Sequence, residues 1–193
     1  NNKELFLKKL NIDTKKIKNP GLLFLDTPGH AAFNNLRRRG GNLADIAILV
    51  VDINEGVKPQ TLECIDILKK YKTPFIIALN KIDLLSSWRT GKDGLLKSIN
   101  SQGENTKELL DKKLYNIVGK LSEFGLNSER FDRVDDFTKQ IAMVPVSAKT
   151  KEGLPELLAV LTGLAQKFLE KKLKIDSNKE GKGVILEVEE EQG

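Results

Sequence analysis

Apolar runs of strand length alternate with stretches of helical period along most of this chain. The first run is Gly21-Leu-Leu-Phe-Leu-Asp26, and an amphipathic stretch follows it from Ala31 to about Arg39. Ala47-Ile-Leu-Val-Val-Asp52 is apolar until its closing carboxylate. Pro59 then opens a predicted helix that carries Leu62, Ile65, Ile67 and Leu68 toward Lys70. Pro74-Phe-Ile-Ile-Ala-Leu-Asn80 and Ile141-Ala-Met-Val-Pro-Val146 are two more predicted strands, and Leu154 to Glu170 is a long amphipathic helix. The strands are apolar throughout rather than alternating, as a sheet buried on both sides requires. The pattern therefore predicts an α/β fold, a mostly parallel sheet with helices on both faces.

Polar segments divide these elements. From Leu85 to Thr106 the sequence is rich in Gly and Ser and predicts an excursion over the surface, before a helix from about Lys107 to Glu123. Ser128 to Gln140 predicts a short polar helix or loop. Residues 1–170 are assigned to one domain and the charged, aperiodic stretch 171–182 to a linker. In 183–193, Val184-Ile-Leu-Glu-Val188 alternates like the first strand of a following β domain.

Composition changes this picture little. With 193 residues, 39% of them hydrophobic, the chain can bury one sizeable core. Its 32 basic and 27 acidic residues leave a net charge of +5, but the two signs are interspersed, so attraction to a polyanion is weak. One cysteine, Cys64, excludes an internal disulfide framework and suggests a reducing compartment, the cytoplasm by default. Cys64 itself reads as an inert buried thiol. No apolar run is long enough to span a membrane. The chain does not begin with Met or with a signal segment, and the expectation is an internal cut in a longer polypeptide.

The candidate chemistry lies at the carboxyl ends of three predicted strands: Asp26-Thr-Pro-Gly-His30, Asn80-Lys-Ile-Asp83 and Ser147-Ala-Lys149. Ligands of open α/β sheets bind outside those ends, so the three segments should converge. Each alone has a local explanation as a turn. Asp83 can accept two parallel hydrogen bonds from the ring N–H and exocyclic amine of guanine, a pair that adenine does not present. A site built on such donors can discriminate by about 10⁴-fold. Asn80 can bond the base edge or brace the neighbouring loop, the stem of Lys81 can lie across the base, and Ala148 can offer a backbone N–H to the guanine oxygen. Asp26 would hold Mg²⁺ through a water at the end of a buried strand. Gly29 has no side chain to obstruct a γ-phosphate, and His30, the one histidine, stands where it could orient an attacking water.

In this order these motifs are similar to the nucleotide motifs of translational GTPases. Phe33-Asn-Asn-Leu-Arg-Arg-Arg-Gly-Gly-Asn-Leu-Ala-Asp-Ile-Ala-Ile-Leu-Val-Val-Asp-Ile-Asn-Glu-Gly56, Lys58-Pro-Gln-Thr61, Trp88-Arg89 and Ser128-Glu-Arg-Phe-Asp-Arg133 narrow the resemblance to the initiation factor 5B group, relatives of bacterial initiation factor 2, with the archaeal form fitting better. The resemblance runs from about Pro20 to Val188. It implies a P-loop GTPase-type fold, GTP/GDP and Mg²⁺ as cofactors, and GTP hydrolysis. It also implies a role in joining ribosomal subunits around initiator tRNA, the tRNA being contacted by domains beyond this stretch, with a monomer expected. By motif position His30 would be catalytic, Asp26 and Gly29 would sense the γ-phosphate, and Asn80, Lys81, Asp83, Ser147, Ala148 and Lys149 would surround the base. Arg37, Arg38 and Arg39 would contact ribosomal RNA phosphates or form a solvated basic face. Trp88 reads as surface packing.

One departure stands out. No Gly-x-x-x-x-Gly-Lys-Ser/Thr segment occurs, and Asn1 to Lys18 resembles the stretch after the first switch. The expectation is that this chain alone binds nucleotide weakly and leaves a sheet edge unpaired. The alternatives are a non-catalytic binding module or another translational GTPase.

Overall fold

In the computed structural model, residues 22–27, 44–91 and 93–169 are described. Four strands, β1 (Ala47–Asp52), β2 (Phe75–Asn80), β3 (Ser128–Arg130) and β4 (Ile141–Pro145), form one sheet in the order β1-β2-β4-β3, with every pair parallel. The helices are α1 (Pro59–Tyr71), α2 (Leu95–Ser101), α3 (Glu104–Glu123) and α4 (Leu154–Leu169).

The apolar runs built the centre of the sheet as expected. In β2, Ile76, Ile77, Ala78 and Leu79 are all buried, as in a strand covered on both faces. Fully burying each large aliphatic side chain of such a strand stabilises the fold by about 1.5–3 kcal/mol before entropy is counted. Val50 of β1 is 61% exposed between buried Leu49 and Val51, so β1 buries one face only.

Helix α1 begins at Pro59, whose missing N–H costs nothing at that position, and Thr61 Oγ1 accepts the Lys58 N–H at 3.2 Å. It ends where Lys72 turns left-handed (φ 53°) and the Lys72 and Thr73 N–H groups bond back to Lys69 and Leu68. Ile65, Ile67 and Leu68 face the core, and half-buried Cys64 packs against it.

Three expectations need correction. The predicted strand over Gly21–Asp26 is not formed in its described part: 22–27 is irregular and exposed, Leu23 to 88%. Apolarity favours burial, but a strand also needs a sheet edge for its backbone groups, and no described strand pairs with this segment. The excursion contains a helix of its own, α2, whose Leu95 and Ile99 are buried in the core. The region after Ser128 opens as strand β3, held to β4 by bonds such as Phe131 N–H to Met143 O at 2.9 Å. Its polar sequence suits an edge position, where charge discourages further pairing.

Among the described residues no helix is long and apolar enough to cross a membrane. The assigned linker 171–182 and strand segment 183–193 lie outside the described residues.

Candidate functional site

Two of the three candidate segments meet at the carboxyl ends of neighbouring strands. β2 and β4 pair with Leu79 opposite Pro145, so Asn80 leaves one strand beside Val146 and Ser147 leaving the other. The Val146 N–H donates to Leu79 O at 2.8 Å and the Ile82 N–H donates to Val146 O at 3.2 Å, which carries the pairing past the sheet into the loops. Asn80 Oδ1 then accepts the Ala148 N–H at 3.0 Å and the Lys81 N–H at 2.8 Å. Asn80 thus braces the loop, one of the two roles its sequence position allowed.

Lys81 turns left-handed (φ 68°) and leads into a 3-10 turn over Ile82–Leu84. Ile82 is buried in the core while Asp83 beside it is half-buried, so the turn leaves Asp83 partly open to solvent. Lys81 Nζ pairs with Asp52 Oδ2, the last residue of β1, which lies opposite Asn80 in the sheet register. Burial pushes the Asp52 carboxyl up, but the Lys81 ammonium and the Asn54 N–H, 2.8 Å from Oδ1, outweigh it and hold the group below the usual carboxylate range. Asn54 Nδ2 also donates to Lys81 O at 3.2 Å.

On the other side, Ser147 is fully buried, its Oγ accepts the Thr150 N–H at 3.1 Å, and its own N–H donates to Glu152 O at 2.9 Å. Ala148 and Lys149 are exposed. Gly153 follows at φ 77°, where a Cβ would collide with the Pro145 carbonyl, so only glycine lets the loop return this closely to its strand.

Of the third segment only Asp26 and Thr27 are described. Asp26 is exposed at the end of an irregular stretch rather than of a buried strand, and among the described residues it shares no hydrogen bond or ion pair with this cluster. Gly29, His30 and Arg37 to Arg39 lie outside the described residues. The described residues group no three carboxylate, imidazole or thiol ligands for a metal.

The turn bearing Asp83 and the loop bearing Ala148 are thus tied together by the Asn80 amide oxygen. Sequence reasoning missed the contributions of Asp52 and Glu152. The register of Asp52 with Asn80 was available from two equal apolar runs, whereas the contacts of Glu152 depend on the fold.

Comparison with known proteins gives the family of the chain. The model of the elongation factor Tu GTP binding domain matches residues 7–167. A probable translation initiation factor IF-2 of Ignicoccus hospitalis is 56% identical over 188 residues, 97% of this chain and 30% of its own length. The protein of the same description from Thermoplasma acidophilum is 58% identical over 183 residues, 94% of this chain and 31% of its own length. The crystal structure of GDP-bound aIF5B from Aeropyrum pernix superposes with a TM-score of 0.81 at 48% identity, covering 99% of this chain and 32% of that one. The chain thus spans about a third of the length of these relatives. A parallel sheet with the motif-bearing loops at its carboxyl ends, matched over most of its length by one domain model, places the chain in the family of elongation factor Tu-type GTP-binding domains.

Proposed function

We propose that this chain supplies the guanine-recognising part of the nucleotide domain of an initiation factor of the 5B/2 type, whose complete protein binds and hydrolyses GTP during ribosomal subunit joining. The observation that carries the reading is the bridge from Asn80 Oδ1 to the Ala148 N–H, which ties the Asn80-Lys-Ile-Asp83 turn to the Ser147-Ala-Lys149 loop across two neighbouring strands. Asp83 pairs with the ring N–H and amine of guanine. Ala148 shares its N–H with the base oxygen, and the stem of Lys81 covers the ring while its ammonium stays on Asp52. Ser147 and Lys149 shape the loop around the base. Asp26 contributes one carboxylate toward Mg²⁺, Gly29 meets the γ-phosphate, and His30 positions the attacking water. Residues 1–170 belong to the nucleotide domain, 171–182 to a linker and 183–193 to a following β domain. The ribosome is the partner, initiator tRNA is reached through other domains, and the factor works as a cytoplasmic monomer.

The test is base specificity. In the full-length protein, Asp83→Asn should shift preference from GTP toward XTP, because an amide can donate to the oxygen that xanthine carries in place of the guanine amine. Titration of both nucleotides against both proteins decides it, and an unchanged preference for GTP removes Asp83 from the base.

A further inference from the structure

The excursion between β2 and α3 is joined to the base loop through one side chain. Trp88 Nε1 donates to Glu152 Oε2 at 3.0 Å, and the Gly91 N–H donates to Glu152 Oε1 at 3.2 Å. Glu152 is buried, and its backbone carbonyl accepts the Ser147 N–H at 2.9 Å. Its side chain therefore holds the excursion while its main chain holds the residue before Ala148. A second buried carboxylate, Glu156, accepts the Leu95 N–H at 2.8 Å and fastens the start of α2 to α4, the helix that begins two residues after Glu152. Gln102 closes the excursion on itself, donating to Arg89 O at 2.7 Å and accepting the Arg89 N–H at 2.9 Å.

These contacts complete a ring. From Asp83 the chain runs through two turns, Leu85 N–H to Ile82 O and Trp88 N–H to Leu85 O, both 3.0 Å, to the Trp88 indole. The indole bonds Glu152, Glu152 bonds Ser147, and Ala148 returns to Asn80, which adjoins the turn bearing Asp83. The two sides of the crevice that would take a base are thus linked twice, once directly through Asn80 and once behind the site through Trp88 and Glu152. The Gly91 N–H is shared with Ser98 Oγ, also at 3.2 Å, so it is the Trp88 indole N–H that a rotation of the Glu152 carboxylate would strand.

We propose that Trp88 and Glu152 are positioning residues for base selection: by fixing Ser147 they set where the Ala148 N–H points, and so set how strongly the oxygen at position 6 of the purine is read. The proposal rests on the base-site reading above and adds to it two residues that would not touch the nucleotide.

The experiment uses the full-length protein and three diphosphates. GDP presents all the groups in question. IDP lacks the exocyclic amine and so reports on Asp83, while 6-thio-GDP keeps the ring N–H and amine but replaces the oxygen by sulfur, a weak acceptor, and so reports on Ala148. Trp88→Phe keeps an aromatic body and removes the donor; Glu152→Gln keeps the shape and leaves one acceptor oxygen. In each variant the preference for GDP over 6-thio-GDP should fall about fivefold, the scale of one neutral hydrogen bond, while the preference for GDP over IDP stays at the wild-type value. Melting curves accompany each titration. Affinities that are unchanged, or that fall in parallel for all three nucleotides, overturn the proposal and leave the clamp a purely structural one. A wild-type protein that does not prefer GDP over IDP instead defeats the base-site reading itself, an outcome separate from the behaviour of the variants.

Discussion

Lys81 Nζ lies 2.7 Å from Asp52 Oδ2, so the lysine that follows β2 is anchored to the end of β1. Asp52 is mostly buried and Lys81 is half exposed. Because the folded-state carboxyl is held below its unfolded value near 3.8, its contribution to stability is fully present above that pH. It is lost as pH falls through the lowered folded value. In Asp52→Asn the acid-dependent part disappears. Melting temperatures of the two proteins should therefore differ by a constant amount from pH 5 to 7 and converge as the pH is lowered below about 4. A gap that stays constant into acid would show that the pair does not couple to folding.

Asn80→Ala removes the acceptor shared by the Lys81 and Ala148 N–H groups. Both groups can reach water at this partly open position, so the loss of stability should be modest, about 1 kcal/mol by urea denaturation. Guanine-nucleotide affinity should drop by at least about tenfold, because two loops lose their common brace. Equilibrium titration with GDP beside the denaturation curve gives both numbers; a stability loss with intact affinity would mean that the bridge is not part of the site.

The strands that carry this site were legible because continuous apolar runs at 47–52, 75–80 and 141–145 have few ways to be buried other than in a covered parallel sheet. The meeting of the Asn80 and Ala148 loops was legible because a strand end fixes where its next residues emerge. β3 was not, since Ser128-Glu-Arg130 has no strand pattern of its own and is a strand only by its bonds to β4. α2 was masked by the glycines and serines around it. The run at 22–25 misled because hydrophobicity reports a preference for burial and says nothing of the edge a strand must pair with. The clamp behind the base loop joins residues 64 apart in sequence, and no local spacing announces it.

Arg130→Ala should cost about 2–3 kcal/mol in urea denaturation. Its guanidinium is 8% exposed and bonds Asp132 Oδ1 at 2.6 Å and Asp111 Oδ1 at 3.2 Å, linking β3 to α3, and removal leaves two partly buried carboxylates without it. Lys107→Ala, which breaks an exposed pair with Glu104 on α3, should cost less than about 0.5 kcal/mol. Equal effects would mean that burial of the Arg130 network is not what makes it matter.

Gly153→Ala forces a Cβ against the Pro145 carbonyl at a left-handed backbone position. The loop carrying Ser147 must then move or strain, at about 1–3 kcal/mol. GDP affinity should fall with stability, because the same turn supports both. A variant as stable as wild type would show that the loop relaxes without consequence.

His30→Ala in the complete factor should leave GTP affinity nearly unchanged while slowing ribosome-stimulated hydrolysis by about 10²-fold, as expected when a water-positioning group is lost. Single-turnover hydrolysis measured beside equilibrium affinity separates the two. Wild-type turnover would defeat the catalytic role, and a parallel fall in affinity, turnover and melting temperature would favour a role in shaping the turn.

The register of β2 with β4 also governs when the site can exist during folding. β1, α1 and β2 are adjacent in sequence and can assemble as a local unit, but Ile77 meets Met143 only after all the intervening chain has been closed into a loop. Such long-range pairing is slow, because the entropy of closure is lost before any contact is gained. The Asn80–Ala148 bridge cannot form before β4 has docked on β2, so a chain with only β1 and β2 paired lacks one of the two loops that meet here. A ligand held across both loops would therefore favour the chain in which β4 has docked on β2, and would stabilise it by mass action.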